Sequence, residues 1–151
     1  MTLAAAGLRL VVPPGWEARI RRQAPSTPGH PGNALLHAAT IALPEQRGDF
    51  GSGVVDHLGP DDAFIALLEY DAADAGTALF RVTRRPVPRP SDFSPDVLQR
   101  TRGAMTGAQW FFALAGRPFC LHAVLGAHSR RAPGAARVER LLQGLTVGGQ
   151  P

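Results

Sequence analysis

The chain has 151 residues, 44% hydrophobic and 19% charged, the balance of an ordinary globular protein of one domain. A domain of this length buries roughly two thirds of the surface its unfolded chain exposes and needs no disulfide or metal staple, and the lone Cys120 excludes an intrachain disulfide and a cysteine-based metal site. All 16 basic side chains are arginine, for a net charge of +4, so the strong basicity reflects a group that never loses its proton more than a large excess of charge.

"MTLAAAGLRLVV" lacks the basic region of a secretory signal, and Arg9 interrupts its short apolar run. No stretch reaches the ~18 apolar residues of a membrane span. The expectation is a cytoplasmic chain, a single domain over 1–151, with no membrane contact.

In "GLRLVV", Leu8, Leu10 and Val12 alternate with Arg9 and Val11 as in a half-buried strand, stopped by Pro13-Pro14-Gly15. "WEARIRR" resumes the alternation, which predicts a hairpin of the two around the proline turn. Residues 24–33 are rich in Pro, Gly and Ser and read as a loop. "ALLHAATIAL" (34–43) is apolar on both faces, as a central strand is. "PEQRGDFGSG" (44–53) reads as a flexible acidic loop, and "VVDHLG" as one helical turn before Pro60.

"AFIALLEYD" (63–71) is a second strand apolar on both faces, and "TALFRVT" (77–83) is expected to return beside it. "RRPVPRP" (84–90) has three prolines in seven residues and reads as extended surface chain. Ser94, Pro95 and Asp96 carry a helix-start signature, with Gly103 as the stop. "QWFFALAGRPFCLHAVLG" (109–126) divides at Ala115-Gly116-Arg117 into two central strands, Gly116 supplying the positive φ of the turn. Val138, Leu141, Leu142 and Leu145 recur at helical spacing after Pro133, with Gly144 at the helix end and "LTV" as a closing strand. The sum is an α+β fold: a mainly antiparallel sheet of about six strands with a C-terminal helix packed on it. Trp16, Phe64, Leu68, Trp110, Phe112, Phe119, Leu121, Leu141 and Leu142 are expected in one contiguous core.

Pro14-Gly15-Trp16 at the first turn, Gly116-Arg117-Pro118-Phe119 at the late hairpin, and the closing helix through Val138 to Leu142 come in an order that resembles the PsbP-like α/β/α sandwich. That group is named for a photosystem extrinsic subunit and is shared with a Ran-binding nuclear import factor. The resemblance implies a PsbP-like sandwich and a role in binding proteins or assisting assembly. It carries no catalytic residue onto this chain.

Charge is distributed unevenly. Residues 44–80 hold eight acids against Arg47, whereas residues 81–140 hold eleven arginines against Asp92, Asp96 and Glu139. The blocks either neutralise each other across the fold or leave one basic face.

Among chemical candidates, Cys120 sits between Phe119 and Leu121, where a thiol stays protonated and inert. His37 and His122 fall in strands that are able to meet across the sheet, but two imidazoles without a third ligand make a poor metal site. Asp56, His57, Asp61 and Asp62 form a possible His/carboxylate cluster without a metal-binding spacing. "RGDFGSG" matches an adhesion tripeptide and a kinase tripeptide without the rest of either signature.

The stretch that stands out is "RVTRRPVPR" (81–89), where Arg81, Arg84, Arg85 and Arg89 are interleaved with prolines. It forms a stiff cationic segment suited to an acidic surface, a phosphate or a nucleic acid. The last is disfavoured because the aromatics sit in core patterns rather than beside these arginines. The reading is a small non-enzymatic binding or accessory protein, a monomer or homodimer. Its partner is an unidentified protein of acidic character that meets Arg81, Arg84, Arg85 and Arg89; no catalytic residue, metal or cofactor is assigned. The alternatives are an enzyme built on the cluster at 56–62, and an anionic-ligand or nucleic-acid binder through 81–89.

Overall fold

The computed structural model describes residues 1–25, 27–98 and 102–149. Ala6 and Gly7 both take positive φ, 52° and 73°, and fold Thr2–Ala5 (β1) onto Leu8–Val11 (β2) as a tight antiparallel hairpin. The other edge of β2 pairs with Leu145–Val147 (β8) near the C-terminus. The hairpin expected around Pro13-Pro14-Gly15 therefore does not form. Glu17–Arg22 (β3) instead starts a second sheet by pairing with Ala34–Ala39 (β4). The two prolines have no N–H to offer a ladder, so the segment serves as the crossing between sheets.

The second sheet has five antiparallel strands in the order β3-β4-β5-β7-β6, where β5 is Ala63–Glu69, β6 is Thr106–Leu114 and β7 is Arg117–Leu125. β6 and β7 form the expected hairpin, turning at Ala115 (φ 52°) and Gly116 (φ 74°). β4, β5 and β7 are buried along their whole length, which is why their sequences lack a polar face. The count among the described residues is thus eight strands in two sheets rather than about six in one. β1 is too short for alternation to announce it.

"TALFRVT" is not a strand. A 3-10 turn over Ala78–Phe80 interrupts it, and its backbone is bonded to the sheet only from Ala113 N to Val82 O, at 2.8 Å, among the described residues. The helix expected from Ser94 is a single 3-10 turn, Pro95–Val97. Its N-cap is as expected, with Ser94 Oγ accepting from Asp96 N at 3.1 Å. Its proposed body falls partly on 99–101, outside the described residues. The C-terminal helix is present as Arg131–Gln143 (α1), with Val138, Leu141 and Leu142 buried.

The core lies on both faces of the five-stranded sheet and is therefore two clusters, a correction to the single core expected. On one face Phe112, Phe119, Leu121 and Leu125 meet α1 and the three-stranded sheet, with Trp16 and Trp110 at the border. On the other, Phe64, Leu68 and Val124 meet Leu43, Val54, Val55 and Leu58 of the chain between β4 and β5. Successive residues of β5 point to opposite faces, so Phe64 and Leu68 cannot share a cluster with Leu67. The layers are sheet-plus-helix, sheet and loop. Among the described residues no α-helix covers the loop side, which has only the 3-10 turn Val55–His57, where an α/β/α sandwich has a helix layer.

Arg117 ties these layers together. Its Nε and Nη2 donate to both carboxylate oxygens of Glu69, at 2.6 and 3.1 Å, with each side chain almost wholly buried. Its remaining donors reach Ala6 O at the β1–β2 turn (2.8 Å) and Gly148 O after β8 (3.1 Å). Glu69 Oε1 also accepts from Ala34 N at 2.9 Å. One guanidinium thus joins the two sheets through the bidentate geometry that arginine provides.

Candidate partner-binding groove

The two outer strands of the five-stranded sheet are protected differently. β3 carries Arg19, Arg21 and Arg22, and charge along an edge discourages pairing with another chain. β6 reads "TGAQWFFAL" and has no charged side chain. Its edge is flanked by the segment 78–94, whose backbone bonds to β6 among the described residues lie at its two ends.

At one end, Ala113 N donates to Val82 O, and Phe80 packs its ring against Phe111 and Tyr70 at 5.9 and 5.3 Å. At the other, Ser94 and Gly107 exchange both backbone bonds, 2.8 and 3.0 Å, and Phe93 meets Trp110 edge-on at 6.0 Å. Between these anchors the chain bows away as an arch, since Pro86, Pro88 and Pro90 supply no donors. Pro88 is buried, and Arg85 Nη1 donates to Leu142 O at 2.7 Å, satisfying a carbonyl at the C-terminal end of α1.

The arch leaves a groove of about 840 Å³ against β6. In an antiparallel strand, alternate residues direct their backbone groups to the same side. Gly107 and Ala113 point theirs outward, so Gln109 and Phe111 do too. Among the described residues neither of these two outward amides or carbonyls has a hydrogen bond. The open stretch from Gly107 to Ala113 is roughly 20 Å long at ~3.4 Å per residue.

All four arginines singled out in the sequence line this groove. Arg81, Arg84 and Arg89 are exposed and form no ion pair among the described residues. Arg85 is half-buried and holds α1, so its first role is structural. Leu79, Val82 and Val87 are exposed between them, which gives the arch an amphipathic inner surface. The sequence reading separated the aromatics from the arginines; the structure brings Trp110 and Phe111 into the same groove, each already packed on another ring.

Half of the acidic block is ion-paired with arginines outside the arch, Asp49 with Arg21 among them. Asp56 pairs with Arg102, Asp61 with Arg130 at 2.7 Å, and Glu69 with Arg117. None of these arginines belongs to the arch. The same contacts disperse the cluster at 56–62. Asp62 accepts from Thr40 Oγ1 and Gly59 N at 2.8 and 2.9 Å, and His57 is exposed. No group of three or more His, Cys, Asp or Glu placed to hold a metal lies among the described residues.

His37 and His122 do not meet. Both pair in register with Ala66, one from each side, which sets them about 10 Å apart at ~4.8 Å per strand. They do share a face, and the loop "RGDFGSG" rests on them rather than hanging free. Arg47 Nε donates to His37 Nδ1 at 2.7 Å, so His37 Nε2 carries the proton that Asp49 O accepts at 2.8 Å. Phe50 stands edge-on to His122 at 5.5 Å. Gly51, at φ 93°, lies so close to Phe64 that a Cβ would come within 2.5 Å of the ring. Burial pushes the pKa of His37 down, aided by the Arg47 and Arg21 charges, and burial alone lowers that of His122. Cys120 is fully buried, its thiol pushed up by desolvation, with Gln109 Nε2 donating to Sγ at 3.1 Å.

No protein-family model, curated protein or solved structure matches the chain. Nothing in these comparisons identifies a PsbP-like group. No helix among the described residues is long and apolar enough to cross a membrane.

Proposed function

We propose that this protein is a non-enzymatic binding module that captures an extended, acidic segment of a partner protein along the edge of β6. The observation that carries this reading is the open stretch of β6, with two outward-facing residues free of partners beneath an arginine-lined arch. An added strand satisfies such backbone groups, while pockets along the groove read alternate side chains. The exposed Arg81, Arg84 and Arg89 favour carboxylates, and Leu79, Val82 and Val87 favour apolar residues between them. About six residues of partner fill the stretch between the anchors. A PsbP-like ancestry would agree with a binding or assembly role, although fold analogy is a weaker warrant than the groove.

The test pairs a charge reversal with a control. The ligand is a synthetic octapeptide of alternating Glu and Val, measured by calorimetry at low salt. Arg84→Glu together with Arg89→Glu is expected to leave the melting temperature within a few degrees, since exposed changes usually move stability by about 0.5 kcal/mol. It is also expected to abolish binding. Raising salt from 0.1 M to 1 M shortens the Debye length from about 10 Å to about 3 Å and should weaken the wild-type complex. Equal affinity of wild type and variant would overturn the reading. So would tight, salt-dependent binding of an oligo-dT strand with no binding of the peptide.

A further inference from the structure

The loop over residues 44–53 covers part of one face of the five-stranded sheet and is held there by side chains. Its own backbone bonds, Gly48 N to Ser52 O and Gly51 N to Gly48 O, both 3.0 Å, close it on itself; among the described residues none runs to a strand. Two of its ties meet in one imidazole. Arg47 Nε donates to His37 Nδ1 at 2.7 Å, and His37 Nε2 donates to Asp49 O at 2.8 Å. Arg47 Nη1 also donates to Pro44 O at 2.7 Å, so this guanidinium joins the start of the loop to β4. Both ring bonds at once require one tautomer of the neutral imidazole, with Nδ1 bare and the proton on Nε2. A proton added to Nδ1 turns that acceptor into a donor facing a donor, and it sets a second cation against Arg47.

We propose that residues 44–53 form a latch that proton uptake by His37 releases, so that mild acid lifts the loop and uncovers Phe64 and His122 while the strands beneath stay paired.

The surroundings of His37 favour release. In register beside it on β3 is Arg19, with Glu17 and Arg21 on the same face two places to either side. Their charges are already paired, Arg19 with Glu17 at 2.6 Å and Arg21 with Asp49 of the loop at 3.4 Å. On the other side β5 presents only the apolar Phe64, Ala66 and Leu68. Beyond it on β7 stands His122, whose own proton uptake burial also disfavours. In the turn after the loop, Asp56 is paired with Arg102 and His57 is exposed. Glu45 is exposed, and Arg47 forms no ion pair among the described residues. A charged His37 thus meets an unpaired cation and no free carboxylate in the buried layer.

His37 is fully buried, and an ion without a partner there has to reach water. β4 cannot yield, because it is hydrogen-bonded to a strand on each side; the loop can. Gly51 lies against the Phe64 ring and Phe50 against His122, so lifting the loop uncovers both. Burial and the Arg47 charge hold the pKa of the closed His37 below the ordinary 6.5 of imidazole. Closure is therefore fully favoured above about pH 6.5 and weakens as pH falls below it.

The experiment follows the full chain by NMR from pH 7.5 to 5. The His37 ring nitrogens report its protonation, and exchange of the Gly51, Val54 and Val55 amides, each normalised to its intrinsic rate at that pH, reports the loop. Protection of these three amides is expected to fall at least tenfold with the same midpoint as His37 protonation, while the Leu36 and Leu67 amides keep theirs. Three results would overturn the proposal: His37 neutral throughout, His37 protonated with the loop still protected, or all five amides losing protection together. The side-chain amide of His37→Gln takes up no proton in this range. That variant is expected to hold the loop protection flat, and a fall with the wild-type midpoint would assign the effect to another group. Should His37→Gln not fold, the wild-type comparison of midpoints decides alone.

Discussion

At the scale of single residues, charge in an apolar strand is the most consequential feature of this chain. Glu69 closes β5 and Arg117 opens β7, two strands otherwise buried throughout. Removing one partner of such a pair leaves a buried uncompensated charge. Glu69→Ala is therefore expected to cost roughly 3–5 kcal/mol in a denaturant melt, while Glu69→Leu with Arg117→Met recovers a large part of it. A loss below about 1 kcal/mol for Glu69→Ala would mean the pair is not the tie between sheets described here. The sequence contained a sign of this contact, since charged residues are almost never fully buried unless paired. Arg117 nevertheless read as a turn residue, because nothing in a linear pattern brings position 117 to position 69.

Cys120 was legible. It is buried as expected, and the native thiol should react with a disulfide reagent orders of magnitude more slowly than the unfolded one. The histidines add a pH dependence. Burial holds their pKa values in the folded chain below the ordinary 6.5 of a free imidazole, so the unfolded chain binds more protons. The stability they contribute is present above about pH 6.5 and declines as pH falls below it. His122→Phe should flatten the fall in melting temperature between about pH 6.5 and 5; an unchanged slope would show that His122 is not held neutral.

At the scale of elements, alternation and turn chemistry identified β2 through β7 and the C-terminal helix, and placed the β6–β7 turn at Gly116. Partner choice was less legible. β2 and β3 both alternate, yet they belong to different sheets. A period of two says which residues share a face and nothing about which strand lies alongside. β1 is four residues long, too short for periodicity to single out, whereas the closing strand "LTV" forms as expected as β8. The 3-10 turn at Ala78–Phe80 shows the opposite failure: a good strand pattern gave way because Phe80 is better buried against Tyr70 and Phe111. The arch also divides four arginines that look equivalent in sequence. Arg85→Ala removes a donor from the end of α1 and should cost about 1 kcal/mol, whereas Arg84→Ala should change stability by no more than about 0.5 kcal/mol. Equal effects of the two on the melting temperature would contradict the assignment of Arg85.

At the scale of the whole molecule, one five-stranded sheet has cores on both faces, a charged edge at β3 and an apolar, half-covered edge at β6. Phe119 is fully buried between the sheets, and Phe119→Ala should cost roughly 3–5 kcal/mol. The basic segment 81–89 was visible in the sequence, but the groove was not. It arises because an arch pinned by Phe80 and Phe93 spans a strand some twenty residues further along the chain. The central claim is that Gln109 and Phe111 present their outward backbone groups to an extended acidic partner. Hydrogen exchange of these two amides, measured with and without the Glu–Val octapeptide, tests it most directly. The account predicts that both amides exchange at least tenfold more slowly in the complex, while the β3 amides are unchanged. Binding of the peptide with Gln109 and Phe111 exchanging as before would contradict it.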